Sequence, residues 1–167
     1  QMVSSVGGFV FIDFSDTSDP RIESHSIDFE KYGFCLCITD TKGSHSDLTE
    51  DYVSVPTEMN HVAEQFGKPY LRLVDEKDFF SDIPRLREVC TDREILRAAH
   101  FFGENRRAAQ EAEALTCGNF ERFLELVRES GDSSANLLQN LYSCKKPSEQ
   151  EIPVAIMMSK RFLDGCG

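Results

Sequence analysis

The strongest constraint on this chain's fold lies between Thr91 and Ala112. Thr91-Asp92-Arg93-Glu94 is a capping box: the Thr91 hydroxyl can accept from the amide of Glu94, and the Glu94 carboxylate can reach back. Behind it Ile95, Ala98, Ala99, Phe102, Ala109 and Ala112 recur at helical spacing. The pattern predicts a long amphipathic helix over 92–116, with one apolar stripe that the rest of the chain must cover.

That cover comes in two kinds. Phe9-Val10-Phe11-Ile12-Asp13-Phe14 follows Gly7-Gly8 and is aromatic and β-branched, as is Phe34-Cys35-Leu36-Cys37-Ile38-Thr39. These runs predict strands over 9–14 and 34–39 in one sheet, with room for a further short strand near His25-Ser26-Ile27. After Pro56 the period lengthens. Met59, Val62, Ala63 and Phe66 predict a helix over 57–66, opened by Pro56 and stopped by Gly67. A short helix follows the cap candidate Asp82 and Pro84. Phe120, Phe123, Leu124 and Val127 predict a helix over 119–130, stopped by Gly131, and Asp132-Ser133-Ser134 opens another that ends near Leu141. A second capping box, Ser148 to Glu151, introduces a last helix over 150–163, with Pro153 expected to distort its first turns. Strands first and helices afterwards make the class α+β: a small, mainly antiparallel sheet covered by several amphipathic helices, one domain over 1–167.

Charge narrows the partners. Eighteen Lys and Arg stand against 29 Asp and Glu, a formal charge of −11. Such a surface repels phosphate backbones and anionic membranes, and the basic residues form no stripe interleaved with aromatics. Neither nucleic acid nor membrane is expected as a partner, and no 18-residue apolar run is present. The cysteines Cys35, Cys37, Cys90, Cys117, Cys144 and Cys166 form no C-x-x-C pair and have no His at zinc spacing. They read as free thiols of a cytoplasmic protein, with no metal site. The opening QMVSSVGGF and the closing Asp164-Gly165-Cys166-Gly167 read as a piece of a longer protein.

Candidate chemistry is sparse on composition and spacing alone. His100, Glu104, Arg107 and Glu111 share a face of the long helix, either as a catalytic cluster or, more simply, as a packing or solvated face. The loop from Lys42 to Asp47 mixes Ser, His and Asp after an expected strand and reads as a polar-ligand loop or a plain one. Tyr52 suits a ligand contact or a core position equally, and Glu129-Ser130 reads as a helix end.

Several stretches resemble one family. Gln1-Met2-Val3-Ser4-Ser5-Val6-Gly7-Gly8 leading into Phe9-Val10-Phe11-Ile12-Asp13 is similar to the middle of galactokinases, where G-[LI]-M-D-Q precedes a Gly turn and a strand ending in Ile-Asp. Cys37-Ile38-Thr39-Asp40-Thr41, with His45-Ser46 and Tyr52, resembles the family's following strand, its loop and its sugar-contacting tyrosine. Arg97, His100, Glu104 and Arg107 resemble its R-x-x-H-x-x-x-E-x-x-R helix, and Gly118-Asn119-Phe120 with Glu129-Ser130 resembles its G-D-x-x-x-F-G-x-L-M-x-x-S-H stretch. The chain departs from the pattern at Gly131, where the family has His, and after Tyr52, where the family has arginines.

The resemblance implies the C-terminal portion of a galactokinase of the GHMP kinase superfamily, with that superfamily's C-terminal-domain fold. The whole protein would use ATP and Mg²⁺ to phosphorylate the 1-hydroxyl of galactose or a related sugar. By the same resemblance Tyr52 would contact the sugar and Ser46 would lie near the nucleotide phosphates. The catalytic Asp would immediately precede Gln1, and the phosphate-cradling loop would lie further upstream. Phosphoryl transfer needs amide donors around the phosphates, a metal, and a group orienting the attacking hydroxyl. This chain supplies none of them, so the fragment alone is expected to bind no cofactor and to be inactive. Two alternatives stay open: a galactokinase-like regulatory protein that binds sugar and ATP without turnover, and a helical interaction module unrelated to kinases.

Overall fold

The computed structural model describes residues 9–16, 18–43 and 48–165. The fold is α+β: one small antiparallel sheet and a majority of helix. Its contacts group the chain into two compact units, Gln1–Leu36 with Phe101–Asp132, and Cys37–His100 with Ser133–Gly167.

In the first unit β1 (Phe9–Asp13) pairs antiparallel with β2 (Arg21–His25), placing Phe9 opposite His25 and Asp13 opposite Arg21. Side-chain turns start the connection: Asp13 accepts from the amide of Ser15 and Asp16 from that of Ser18, both at 2.9 Å. A two-stranded ribbon is marginal by itself. Here aromatic packing fixes it. The Phe9 ring meets Phe29 edge-on at 5.4 Å and Phe123 at 5.8 Å. Phe120 stacks on Tyr32 at 4.5 Å and lies 5.3 Å from Phe34. Each such pair contributes about 0.5–1.5 kcal/mol beyond the area it buries. Phe120 and Phe123 are presented by a helix over Phe120–Ser133, and Ala114 of the long helix completes the cluster.

The second unit holds α1 (Thr49–Glu64), α2 (Glu76–Ser81), α3 (Ile83–Val89), the first turns of α4 (Asp92–Thr116) and α6 (Glu151–Asp164); the helix over Phe120–Ser133 is α5. Val62, Ala63, Phe79, Leu86 and Ala98 are fully removed from water. Burying a side chain of Val, Leu or Phe size stabilises by roughly 1.5–3 kcal/mol. The last helix, α6, buries no side chain, and Met157, Phe162 and Leu163 are exposed on it.

The boundaries of α4 agree with its capping box, which forms as expected: the Thr91 amide donates to Glu94 Oε2 at 2.6 Å, and the Glu94 amide donates to Thr91 Oγ1 at 3.3 Å. Gly67 also stops α1 as expected, taking a left-handed φ of 66° while the Lys68 amide returns to the Ala63 carbonyl at 3.1 Å.

Other expectations are corrected. Residues 34–39 form no strand: β1 pairs with β2 instead, and the run Leu36 to Ile38 lies exposed. An apolar run needs a neighbour for its ladder hydrogen bonds to become a strand, and none is supplied by the described residues. Pro56 does not open α1 but lies inside it. Its missing N–H leaves the Tyr52 carbonyl without its usual donor, while the Ser54 and Thr57 hydroxyls donate to the carbonyls of Asp51 and Val53 on either side. Gly131 does not end its helix, because α5 continues to Ser133 and passes into a π turn, Ser134–Leu138, closed by Gln139 at φ 58°. The expected separate helix from Asp132 is thus a continuation. Ser148 lies outside α6, so the second capping box does not form. Pro153 falls in that helix's first turn, where backbone amides have no intrahelical partner, and it distorts nothing.

One polar group holds the second unit's helices in register. The Arg97 side chain is only 5% exposed. Its guanidinium donates to Ser54 Oγ at 2.9 Å, to the Leu138 carbonyl at 3.1 Å, and pairs with Glu58 Oε2 at 3.0 Å. Arg93 binds the same Glu58 carboxylate. Breaking a buried pair of this kind leaves a charge without compensation and costs about 3–5 kcal/mol. Arg97→Ala should therefore lower the Tm by roughly 6–15 °C for a chain of this size. Arg97→Lys should recover only part of it, because an ammonium lacks the planar fork that spans these acceptors. Thermal melts of the two variants check this; full recovery with Lys would contradict it.

Candidate functional site

The polar line along α4 resolves into partners. His100 Nδ1 lies 2.9 Å from the hydroxyl of Ser133, and both side chains are buried. Glu104 accepts from Ser130 Oγ at 2.7 Å and pairs with Arg107. Arg107 reaches Glu129 at 3.7 Å, and Arg122 bridges Glu125 and Glu129 at 2.9 and 3.1 Å. The contacts of His100, Glu104 and Arg107 bind α4 to α5, so this face is a packing face. Glu129 and Ser130 are helix-interior residues and not a helix end.

Glu111 is used differently. It lines a cavity of about 170 Å³ in the first unit with Phe9, Phe11, His25, Leu115 and Phe123. Burial lifts the Glu111 carboxyl above its ordinary range, against the pull of Arg107. His25 Nε2 is buried there with no hydrogen-bond partner, while its Nδ1 lies 3.5 Å from Thr116 Oγ1. The cavity thus joins mostly apolar walls to one carboxyl and one imidazole. Sequence reading missed it because His25 and Glu111 meet only through the packing of β2 against α4.

Tyr52 stands in the first turn of α1, where its amide donates to the Leu48 carbonyl at 3.0 Å and its ring is 63% exposed. Around it the turn is tied down. Asp51 accepts from Ser143 Oγ at 2.7 Å, and Glu50 pairs with Lys145. Both acids also complement the positive end of the helix dipole. Leu48, one turn before Tyr52, lines a small cavity of about 50 Å³ with Thr41, Gly43, Ser143, Lys146 and Glu151. Ser46 lies outside the described residues, so the loop's expected phosphate contact has no geometry to report.

A third grouping has no counterpart in the sequence motifs. His61 of α1, Cys90 at the end of α3 and Glu94 of α4 bring one ligand atom each to within 4.8 Å of one another. His61 Nδ1 lies 2.7 Å from Glu94 Oε1. Their spacing along the chain matches no metal motif, so only the helix packing reveals them. Cys35, Cys37, Cys117 and Cys144 are exposed. No helix among the described residues is long and apolar enough to cross a membrane.

Comparison with known proteins gives a partial match. No family model matches the chain. Over 101 residues, 60% of its length, it is 29% identical to a galactokinase of Glaesserella parasuis serovar 5 (strain SH0165). Over 104 residues, 61% of its length, it is 30% identical to a galactokinase of Actinobacillus pleuropneumoniae serotype 5b (strain L20). In each case the match spans 26% of the relative's length. These similarities support a galactokinase-like relationship.

The lifted Glu111 carboxyl makes a prediction with a definite sign. A folded-state proton affinity above the unfolded one contributes stability that is present below the ordinary Glu value of 4.5 and is lost as the pH rises through the raised value. Glu111→Gln removes the buried charge, so it should raise the Tm at pH 7. The gain should shrink as the pH falls towards 4.5. A gain independent of pH, or a loss at pH 7, would show that burial of the charge is not what the carboxyl experiences.

Proposed function

We propose that this chain is part of a galactokinase-like sugar kinase whose complete form uses ATP and Mg²⁺ to phosphorylate the 1-hydroxyl of galactose. The observation that carries this reading is the similarity at 29% and 30% identity to two galactokinases. In this reading the chain supplies one wall of the sugar site and part of the scaffold. Catalysis of phosphoryl transfer is mostly positioning and electrostatic stabilisation of the transferring group. The phosphate cradle, the metal ligands and the group orienting the sugar hydroxyl are assigned to the remainder of the complete protein, and the isolated chain transfers no phosphate.

Tyr52 is the proposed sugar contact. Its exposed ring offers an apolar face and a hydroxyl to a polar ligand, and the tethers of Glu50 and Asp51 fix the turn that carries it. Ser46, in the preceding loop, is proposed to approach the nucleotide phosphates. The cytoplasm is the proposed compartment, in keeping with cysteines that lie at no disulfide-framework spacing.

Tyr52→Ala in the complete parent protein tests the site. Losing the contact should cost about 1–3 kcal/mol, roughly ten- to a hundredfold in kcat/KM for galactose. Because the ring is exposed, the Tm should move by no more than a surface substitution does. An unaltered kcat/KM together with a lowered Tm would remove Tyr52 from the sugar site and make it a packing residue.

A further inference from the structure

We propose that His61, Cys90 and Glu94 form a binding site for a borderline-soft divalent cation, Zn²⁺ being the best match. The inference stands apart from the kinase reading, since the Mg²⁺ of phosphoryl transfer is a hard cation held by oxygen ligands.

The geometry points to it first. The three ligand atoms lie within 4.8 Å of one another. Tetrahedral zinc, with bonds of about 2.0–2.3 Å, sets its ligands roughly 3.3–3.8 Å apart. His61 and Glu94, at 2.7 Å, need to part slightly to admit the ion, and the Cys90 sulfur needs to draw in by about 1 Å. Those are side-chain adjustments, because the three backbones are fixed by α1, the end of α3 and the capped start of α4. The donor set is the second argument. One imidazole nitrogen, one thiolate and one carboxylate oxygen suit zinc-type ions and ill suit Mg²⁺ or Ca²⁺. Three protein ligands also leave a fourth position for water.

The surroundings are built for a ligand role. Glu94 presents Oε1 to His61 while its Oε2 is held by the Thr91 amide at 2.6 Å and hydroxyl at 2.9 Å. That outer hydrogen bonding orients a ligating carboxylate. Cys90 is 9% exposed, whereas the His61 side chain is 41% exposed, so the imidazole edge gives the ion its entry from solvent. Coordination replaces the Cys90 S–H bond with a sulfur–metal bond and releases the proton to solvent. Arg85 is already engaged by Asp82.

Cobalt makes the test direct. The 167-residue chain, purified reduced and free of chelator, is titrated with Co²⁺ in a Cys35→Ser/Cys37→Ser/Cys117→Ser/Cys144→Ser/Cys166→Ser background that leaves Cys90 as its one thiol. A thiolate-to-cobalt charge-transfer band should saturate at one equivalent and be abolished by Zn²⁺. Cys90→Ser in the same background should eliminate the band. His61→Gln, at a half-buried helix position, should weaken Co²⁺ binding at least about tenfold. The His61 variant keeps the test decisive should Cys90→Ser unfold. Failure of the band to appear, its survival in Cys90→Ser, or unchanged affinity in His61→Gln would each overturn the proposal. None of these outcomes bears on galactose phosphorylation, so the kinase reading stands or falls separately.

Discussion

A guanidinium almost wholly removed from water must find acceptors for its protons, and Arg97 finds them on two other segments: Ser54 and Glu58 of α1, and the Leu138 carbonyl in the π turn after α5. The arrangement explains several oddities together. α1 starts at Thr49, before the proline, because Ser54 and Glu58 must share a helix face to meet Arg97. The α5 helix runs past Gly131 because Ser133 and Leu138 are needed against His100 and Arg97. The Glu58 carboxylate, shared by Arg93 and Arg97, sits in the low-dielectric space that makes such a pair costly to break. By contrast Arg85–Asp82 is about a third or more exposed and adds little.

What the sequence made legible followed from local rules. The capping box at Thr91, the length of α4 and the αL stop at Gly67 each depend on a few adjacent residues, and each appears as expected. What was illegible depended on partners. The run from Phe34 to Thr39 has strand composition, yet composition supplies no neighbouring strand. Pro56 has the look of a helix start, but hydroxyls of Ser54 and Thr57 and a buried network around Glu58 keep the helix intact through it. Gly131 has the look of a stop, but a glycine ends a helix only where the backbone turns left-handed, and here that turn falls at Gln139.

The candidate sites divide in the same way. The line His100, Glu104, Arg107 was visible as a helix face, and its packing role was the simpler of its two readings. Glu111 left that line to enter a cavity wall beside His25, a meeting that depends on the sheet. His61 lies on α1, Cys90 just past α3 and Glu94 on α4, and no spacing rule joins them. Tyr52 was singled out as a sugar contact only through resemblance, and its exposure permits a ligand contact.

The central claim, that this chain belongs to a protein that phosphorylates galactose at its anomeric oxygen, is tested most directly by phosphorus NMR of the complete parent protein with ATP, Mg²⁺ and galactose. Galactose 1-phosphate should accumulate with an equal amount of ADP. Binding of galactose and ATP without any new sugar-phosphate resonance would contradict the claim and favour a sensor.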